Sequence, residues 1–395
     1  MSRPTSVASR PASSMQGSPS PTPLPGGLAS TLFVPPPARI PIDQYSAFST
    51  PSARYGHACA AIPHPQHGPA STGDVLLVGG VTGDGTSLMD VHLLTLAPEG
   101  EGMPRWTPIP CNATPHPQPP HQLLVPSEAP TPRHYHSVVI YGRLAYVFGG
   151  WNGEDIYSSM YVLDLDTYHW WQPPNNTTGV ITVPKDDMAP PPEPVASTPV
   201  DPAKRESPLP RQWHNACMLG NTKYICYFGS WGVRAEHQVH LFNTETMAWI
   251  KPKPKGDIPP SLYGHSACGM DQSPDVYVFG GSEGAVGRSN LVRHLHFEGD
   301  GMSQAVWTTI AQASAPGLPQ PRARTNHAAC ICGTYMYISG GWDDIRHLDD
   351  IWALNLRPSS PPFTHPTQPG VITHTFHVLP THAHCSLSVR RLTHA

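Results

Sequence analysis

Residues 133–172 read RHYHSVVIYGRLAYVFGGWNGEDIYSSMYVLDLDTYHWWQ, and their apolar positions fall into three short runs. HSVVIY, LAYVFGG and MYVLDL are each about one strand long and rich in Val, Ile, Tyr and Phe. Gly149-Gly150 ends the second run, where a residue free to take positive φ lets the chain turn away sharply. A fourth short strand then carries Trp170. Four antiparallel strands make one twisted sheet, too small to bury both of its faces alone. The pattern therefore predicts further copies of the unit stacked against it.

The copies are present. An R-x-x-H start recurs at Arg54–His57, Arg133–His136, Arg211–His214 and Arg324–His327, and Leu262–His265 keeps the His without the Arg. Each His is followed by an apolar run and then by Gly79-Gly80, Gly149-Gly150, Gly229-Ser230, Gly280-Gly281 or Gly340-Gly341. A third run places an aromatic ring or His after an apolar residue, at Val91-His92, Met160-Tyr161, Val239-His240 and Ile351-Trp352; Arg293 stands there in the fourth unit. Four units close on Trp106, Trp170, Trp249 and Trp307. This pattern resembles the kelch repeat, whose consensus is an Arg/His start, a double Gly, a Tyr and a Trp. The resemblance covers residues 51–357 and implies an all-β fold, a kelch-type β-propeller with five four-stranded blades. Strand one would lie innermost and the Trp strand outermost. His57, His136, His214, His265 and His327 are then structural repeat positions, as are the glycines, Tyr161 and the four Trp residues.

Beyond the repeats, 50 of 395 residues are Pro, concentrated in the N-terminal tail and between blades. Residues 1–37 are expected to be a disordered Ser/Pro-rich tail. It carries Arg3-x-x-Ser6, Arg10-x-x-Ser13, Ser18-Pro19, Ser20-Pro21 and Thr22-Pro23 as kinase-acceptor patterns. Residues 38–50 read as a linker or a ring-closing strand, and 358–395 as a Pro/His-rich end. In that end, Thr373–Pro380 resembles Arg105–Pro110, with Phe376 in the Trp place, and suits the last strand of blade five. Arg391–Ala395 repeats the R-x-x-H-A start and reads as the opening of a sixth repeat. The propeller is then either a closed five-bladed ring or one truncated from six or seven blades.

The net charge of −4, with 13% charged residues, disfavours nonspecific nucleic-acid binding. No stretch approaches the apolar length of a membrane span, and no signal-peptide core opens the chain. Cys59, Cys217, Cys268 and Cys330 recur just after the repeat His, as small core residues do rather than disulfide partners. These features point to a cytoplasmic chain.

Antiparallel alternation puts the loops after Gly-Gly and the loops between blades on one face of the disc. That face gathers Trp151, Asn152, Glu154 and Asp155, then Trp231 and Arg234, then Glu283 and Arg288, and last Trp342, Asp343 and Asp344. Trp and Arg are over-represented in binding hot spots, so these residues are the candidate site for a protein or peptide partner. The competing expectation is that the Trp rings pack back onto a neighbouring blade.

A ring of five repeat histidines also suits a metal, but a position recurring once per blade fits a buried imidazole better, and no metal or cofactor is expected. G-x-S-x-G, H-E-x-x-H and G-x-x-x-x-G-K-[ST] motifs are all lacking from the sequence. Galactose oxidase shares the kelch-type propeller, and a galactose oxidase-like or isomerase-like enzyme is the alternative. Such a copper enzyme needs paired Tyr and His ligands and a separate following domain. A ubiquitin-ligase receptor would need a BTB or F-box segment, and neither is recognisable. The Ser/Pro-rich tail running into Arg54-Tyr55-Gly56-His57-Ala58 is similar to fungal kelch proteins of the cell-polarity and cell-end type. The sequence reads as a non-enzymatic interaction scaffold.

Overall fold

The computed structural model describes residues 50–62, 74–96, 104–111, 119–174, 179–182, 206–229, 231–232, 238–310, 320–356 and 376–379. All belong to one compact unit, Arg39–Ala395, and Met1–Ala38 is a second. The N-terminal tail, the segment before residue 50 and the Arg391–Ala395 repeat start lie outside the described residues.

Five antiparallel blades are arranged as a β-propeller. Blade one consists of Ala58–Ile62, Asp74–Thr82, Ser87–Thr95 and Arg105–Ile109. Blade two runs Ser137–Tyr141, Leu144–Phe148, Met160–Asp164 and Trp170–Gln172. Blade three runs Asn215–Met218, Tyr224–Phe228, His240–Asn243 and Ala248–Ile250. Blade four runs Ser266–Gly269, Asp275–Phe279, Val292–Glu298 and Gln304–Ile310. In blade five Ala328–Cys332, Tyr335–Ser339 and Ile351–Asn355 are followed by Phe376–Leu379, paired to the third strand with Phe376 opposite Leu354. Two linkers add outer strands: Val125–Pro126 pairs antiparallel with Trp170–Gln172, and Lys253–Gly256 runs parallel to Gln304–Ile310.

Alternation along the strands gives each blade two apolar faces, and the core lies between blades. Leu76, Val78 and Val91 of blade one meet Val138, Val147 and Trp170 of blade two. Tyr146, Phe148 and Trp171 meet Tyr227, Phe242 and Trp249. Phe228 and Leu241 meet Val278, Leu295 and Trp307, and Phe279 and Val292 meet Ile338 and Trp352. The outer-strand Trp of a blade thus packs toward the blade before it. Trp170, Trp249 and Trp307 are buried there, whereas Trp106, on the face of blade one that no other blade covers among the described residues, is half-buried.

The double glycine has a steric cause. Gly149 takes φ +68°, and a Cβ there would sit 2.7 Å from the Arg211 carbonyl oxygen and 2.9 Å from Cε1 of His214. A Cβ on Gly150 would sit 2.9 Å from Cβ of His136. The pair is clamped between the repeat His of its own blade and that of the next, at distances no side chain tolerates. His57 is exposed, while His136, His214, His265 and His327 are buried, because no blade covers His57 among the described residues.

Candidate binding face

The face is held together by the start motif. The residue just after each Gly-Gly position pairs through its backbone with the second residue of R-x-x-H. Val81 pairs with Tyr55, Trp151 with His134, Trp231 with Gln212, Ser282 with Tyr263 and Trp342 with Thr325. The third residue of each motif, Gly56, Tyr135, Trp213, Gly264 and Asn326, has φ between +52° and +62°. Their peptide groups form a relay around the axis: the Tyr135 amide donates to the Gly56 carbonyl (2.7 Å), Trp213 to Tyr135 (3.2 Å), Gly264 to Trp213 (3.2 Å) and Asn326 to Gly264 (2.8 Å). Among the described residues no such bond returns from blade five to blade one.

The relay brings a row of rings side by side. Tyr55 and Tyr135 are 6.4 Å apart between centroids, Tyr135 and Trp213 4.9 Å, and Trp213 stacks on Tyr263 at 5.9 Å and 17°. Tyr55 is exposed and the other three are partly so. The Arg and His of the start motif do not by themselves mark this row. The signal was in the two middle positions, Tyr-Gly, His-Tyr, Gln-Trp, Tyr-Gly and Thr-Asn, which carry Tyr or Trp in four of the five units.

The predicted site residues divide by what their side chains already hold. Trp151 and Trp342 are both part-buried, their rings 5.1 Å from His134 and 4.8 Å from His347. The buried Trp151 Nε1 finds no acceptor among the described residues. Asn152 and Asp343 build the same turn. Asn152 Oδ1 accepts from the Glu154 and Asp155 amides (2.8 and 2.6 Å), and Asp343 Oδ1 from those of Ile345 and Arg346 (3.1 and 2.9 Å). These amide hydrogen bonds, aided by Arg322, hold the Asp343 carboxyl below the usual range against partial desolvation. Asp155 accepts from Thr182 Oγ1 (2.8 Å), tying in the strand Val180–Thr182, while Glu154 is exposed. Arg288 donates to Thr325 and pairs with the exposed Asp344, joining the blade-four loop to blade five. Glu283 turns inward: its side chain is 11% exposed and pairs with the buried Arg293 at 2.5 Å. Arg234 lies outside the described residues.

The repeat histidines do not converge as ligands; among the described residues no three of them bring ring nitrogens together. His214 Nε2 meets Ser137 Oγ and His327 Nε2 meets Ser266 Oγ, both at 2.8 Å and each across a blade boundary. Burial pushes His136, His265 and His327 down to about 3 and His214 well below its ordinary value. The neighbouring Arg133, Arg211, Arg293 and Arg324 guanidiniums contribute to these shifts. These rings are neutral packing elements at neutral pH.

Fold and face together define a kelch-type β-propeller. The KLHDC2/KLHL20/DRC7 Kelch-repeats domain matches residues 44–189 and 213–388, and the chain belongs to that kelch-repeat family. It is similar to Kelch domain-containing protein 3 of Bos taurus, 28% identical over 225 residues, 53% of this chain and 48% of that protein. The Homo sapiens Kelch domain-containing protein 3 is 26% identical over 263 residues, 64% of this chain and 57% of that protein. Host cell factor 1 of Homo sapiens is 28% identical over 164 residues, 39% of this chain and 8% of that protein. The chain thus spans about half the length of the kelch-domain relatives it matches. The cell-polarity likeness gains no support from these matches.

Proposed function

We propose that this chain is a non-enzymatic scaffold that binds a protein or peptide partner on the face carrying the post-glycine and inter-blade loops. The observation that carries this reading is the conformation of Tyr135 and Trp213. At φ +56° and +52° each stands where Gly56 and Gly264 stand in two other blades. Left-handed backbone costs an L-residue roughly 1–2 kcal/mol that glycine avoids. Strained residues of this kind concentrate at binding sites, and here the strain holds two large, half-exposed rings side by side on the face. Tyr and Trp are rigid amphipathic groups suited to anchoring a partner. Trp151, Trp342, Arg288 and Asp344 flank the row and would form its rim.

The backbone conformation supplies a discriminating test. Tyr135→Gly/Trp213→Gly removes both rings while relieving the strained φ. The expected result is a melting temperature close to wild type together with loss of the partners that the wild-type chain retains as affinity bait. Trp151→Ala/Trp342→Ala should weaken the same partners by about 2 kcal/mol each. Unchanged partner retention in both variants would overturn the reading, as would stoichiometric copper and sugar oxidation by the purified chain. The family's kelch relatives and the free state of every described cysteine support an interaction protein of a reducing compartment, the cytoplasm.

A further inference from the structure

The opposite rim of the propeller carries a second chemistry. On blade four, Asp275 opens the second strand, and the antiparallel register sets it directly across from His296. His294 lies two residues earlier on the same strand, opposite Tyr277, so its side chain shares a face with those of His296 and Asp275. His294 Nε2 is 2.8 Å and His296 Nδ1 2.7 Å from the same carboxylate oxygen, Asp275 Oδ1. All three ligand atoms lie within 4.8 Å of one another. The Tyr277 ring stacks on His294 at 5.0 Å and 30°, which fixes the plane of that imidazole. The side chains are 20% (Asp275), 27% (His294) and 41% (His296) exposed, so solvent reaches the cluster from one side.

We propose that Asp275, His294 and His296 form a binding site for a divalent first-row transition metal ion of the Zn2+ class, with the remaining coordination positions open to water or a ligand. Two imidazoles and one carboxylate are the donors such ions take, and oxygen-only ions do not choose them. An ion about 2.0–2.2 Å from each donor requires ligand atoms roughly 3 Å apart. Each imidazole nitrogen lies within a few tenths of an ångström of that spacing from Asp275 Oδ1. Without an ion, the single Oδ1 faces both rings, and each must present an N–H to it. His294 would then be the Nε2 tautomer and His296 the Nδ1 tautomer, two different states selected by one oxygen. With an ion, the same two nitrogens carry the lone pairs, so His294 is held as the Nδ1–H tautomer and His296 as the Nε2–H tautomer.

The site belongs to this chain rather than to the repeat. Blade two has Tyr161 and Leu163 where blade four has Arg293 and Leu295, and its neighbouring positions carry Val162 and Asp164 in place of His294 and His296. Nothing in blade architecture requires an H-x-H pair there.

The test is Zn2+ titrated into the full chain, followed by calorimetry and by melting temperature, for wild type, Asp275→Asn and His294→Gln/His296→Gln. The chain has 23 His, so weaker equivalents bound elsewhere are expected in all three proteins. One equivalent should lose at least about tenfold in affinity in both variants. The Zn2+-induced rise in melting temperature should disappear with it. Should the His pair variant fail to fold, Asp275→Asn decides alone, because it keeps the shape of the side chain while removing its negative charge. Equal affinity and an equal thermal shift in Asp275→Asn and wild type would overturn the proposal, as would a wild-type chain with no such equivalent.

Discussion

A buried guanidinium needs partners, and the repeat provides one in each blade that has the Arg. Arg54, Arg133, Arg211 and Arg324 each donate to the carbonyl of the first glycine of their own blade, at 2.9–3.2 Å. What completes the coordination varies. Arg324 meets Asp350 through two bonds of 2.5 and 2.8 Å, and Arg54 meets Asp90 in the same way. Arg133 instead lies over Tyr157 at 4.2 Å and near Tyr161 at 5.4 Å, and burial pulls its pKa down to about 10. Blade four departs from this scheme. Leu262 fills the Arg place, and the cation returns on the third strand as Arg293, 4% exposed, with Glu283 as its counter-ion. The role of Glu283 is therefore expected to be structural. Glu283→Ala would leave Arg293 buried and unpaired and should cost about 3 kcal/mol in urea unfolding. An unchanged midpoint with weakened partner binding would return Glu283 to the binding face. Its loop position was legible in the sequence, but the direction of its side chain was not, since a loop residue can face either way.

At the scale of the strand and its turn, blades two and three repeat one device. Asp164 accepts from the Asp166 amide (2.9 Å) and the Thr167 hydroxyl (2.7 Å), and Asn243 accepts from the Glu245 and Thr246 amides (2.9 and 3.1 Å). Tyr168 and Met247 then take positive φ, and Trp170 and Trp249 enter the outer strand at the same register. The turn thus delivers the ring to the blade boundary. Trp170, 2% exposed among Val78, Val91 and Val147, should cost about 3–5 kcal/mol when replaced by Ala. Trp106→Ala should cost less than half of that, because its ring is only half-buried. Equal losses in the two variants would show that position in the blade, not the covering neighbour, determines the contribution of this Trp.

The whole molecule is a stack of neutral imidazoles between blades, and this links its stability to pH. An unfolded His titrates near 6.5, whereas burial holds His136, His265 and His327 near 3 and His214 well below its ordinary value. Above about pH 6.5 neither state is protonated at these sites, and stability is at its full value. As the pH falls below that, the unfolded chain takes up protons that the folded chain refuses, so stability declines toward the folded values. Each group contributes up to about 1.4 kcal/mol per pH unit. The melting temperature should therefore drop steeply between pH 6.5 and 5, and less steeply in His265→Gln; a flat profile over that interval would contradict the burial of the four rings. Among the described residues the same stacking leaves one face of blade one uncovered, where His57 and Cys59 are exposed. Exposed strand surface of this kind favours self-association, so sedimentation of the chain should depend on its concentration.

The strands, their order and the propeller itself were legible in the sequence, because alternation, the Gly-Gly clamp and the closing Trp are local patterns that recur in the same order in successive units. Repetition turned weak signals into a clear one: Gly149-Gly150 alone implies a turn, but five such positions in register with Trp106, Trp170, Trp249 and Trp307 imply blades. Tertiary structure decided what depends on pairing between distant segments. Val180–Thr182 crosses back to Asp155–Tyr157, and Lys253–Gly256 lies parallel to Gln304–Ile310, neither of which any local period specifies. The aromatic row of Tyr55, Tyr135, Trp213 and Tyr263 exists only because the peptide relay brings four start motifs side by side. Asp275 and His296, 21 residues apart, meet because the hairpin register places them opposite one another. Sequence period selects which face a side chain takes within a strand, but contacts between strands follow from register and packing, which the folded chain alone sets.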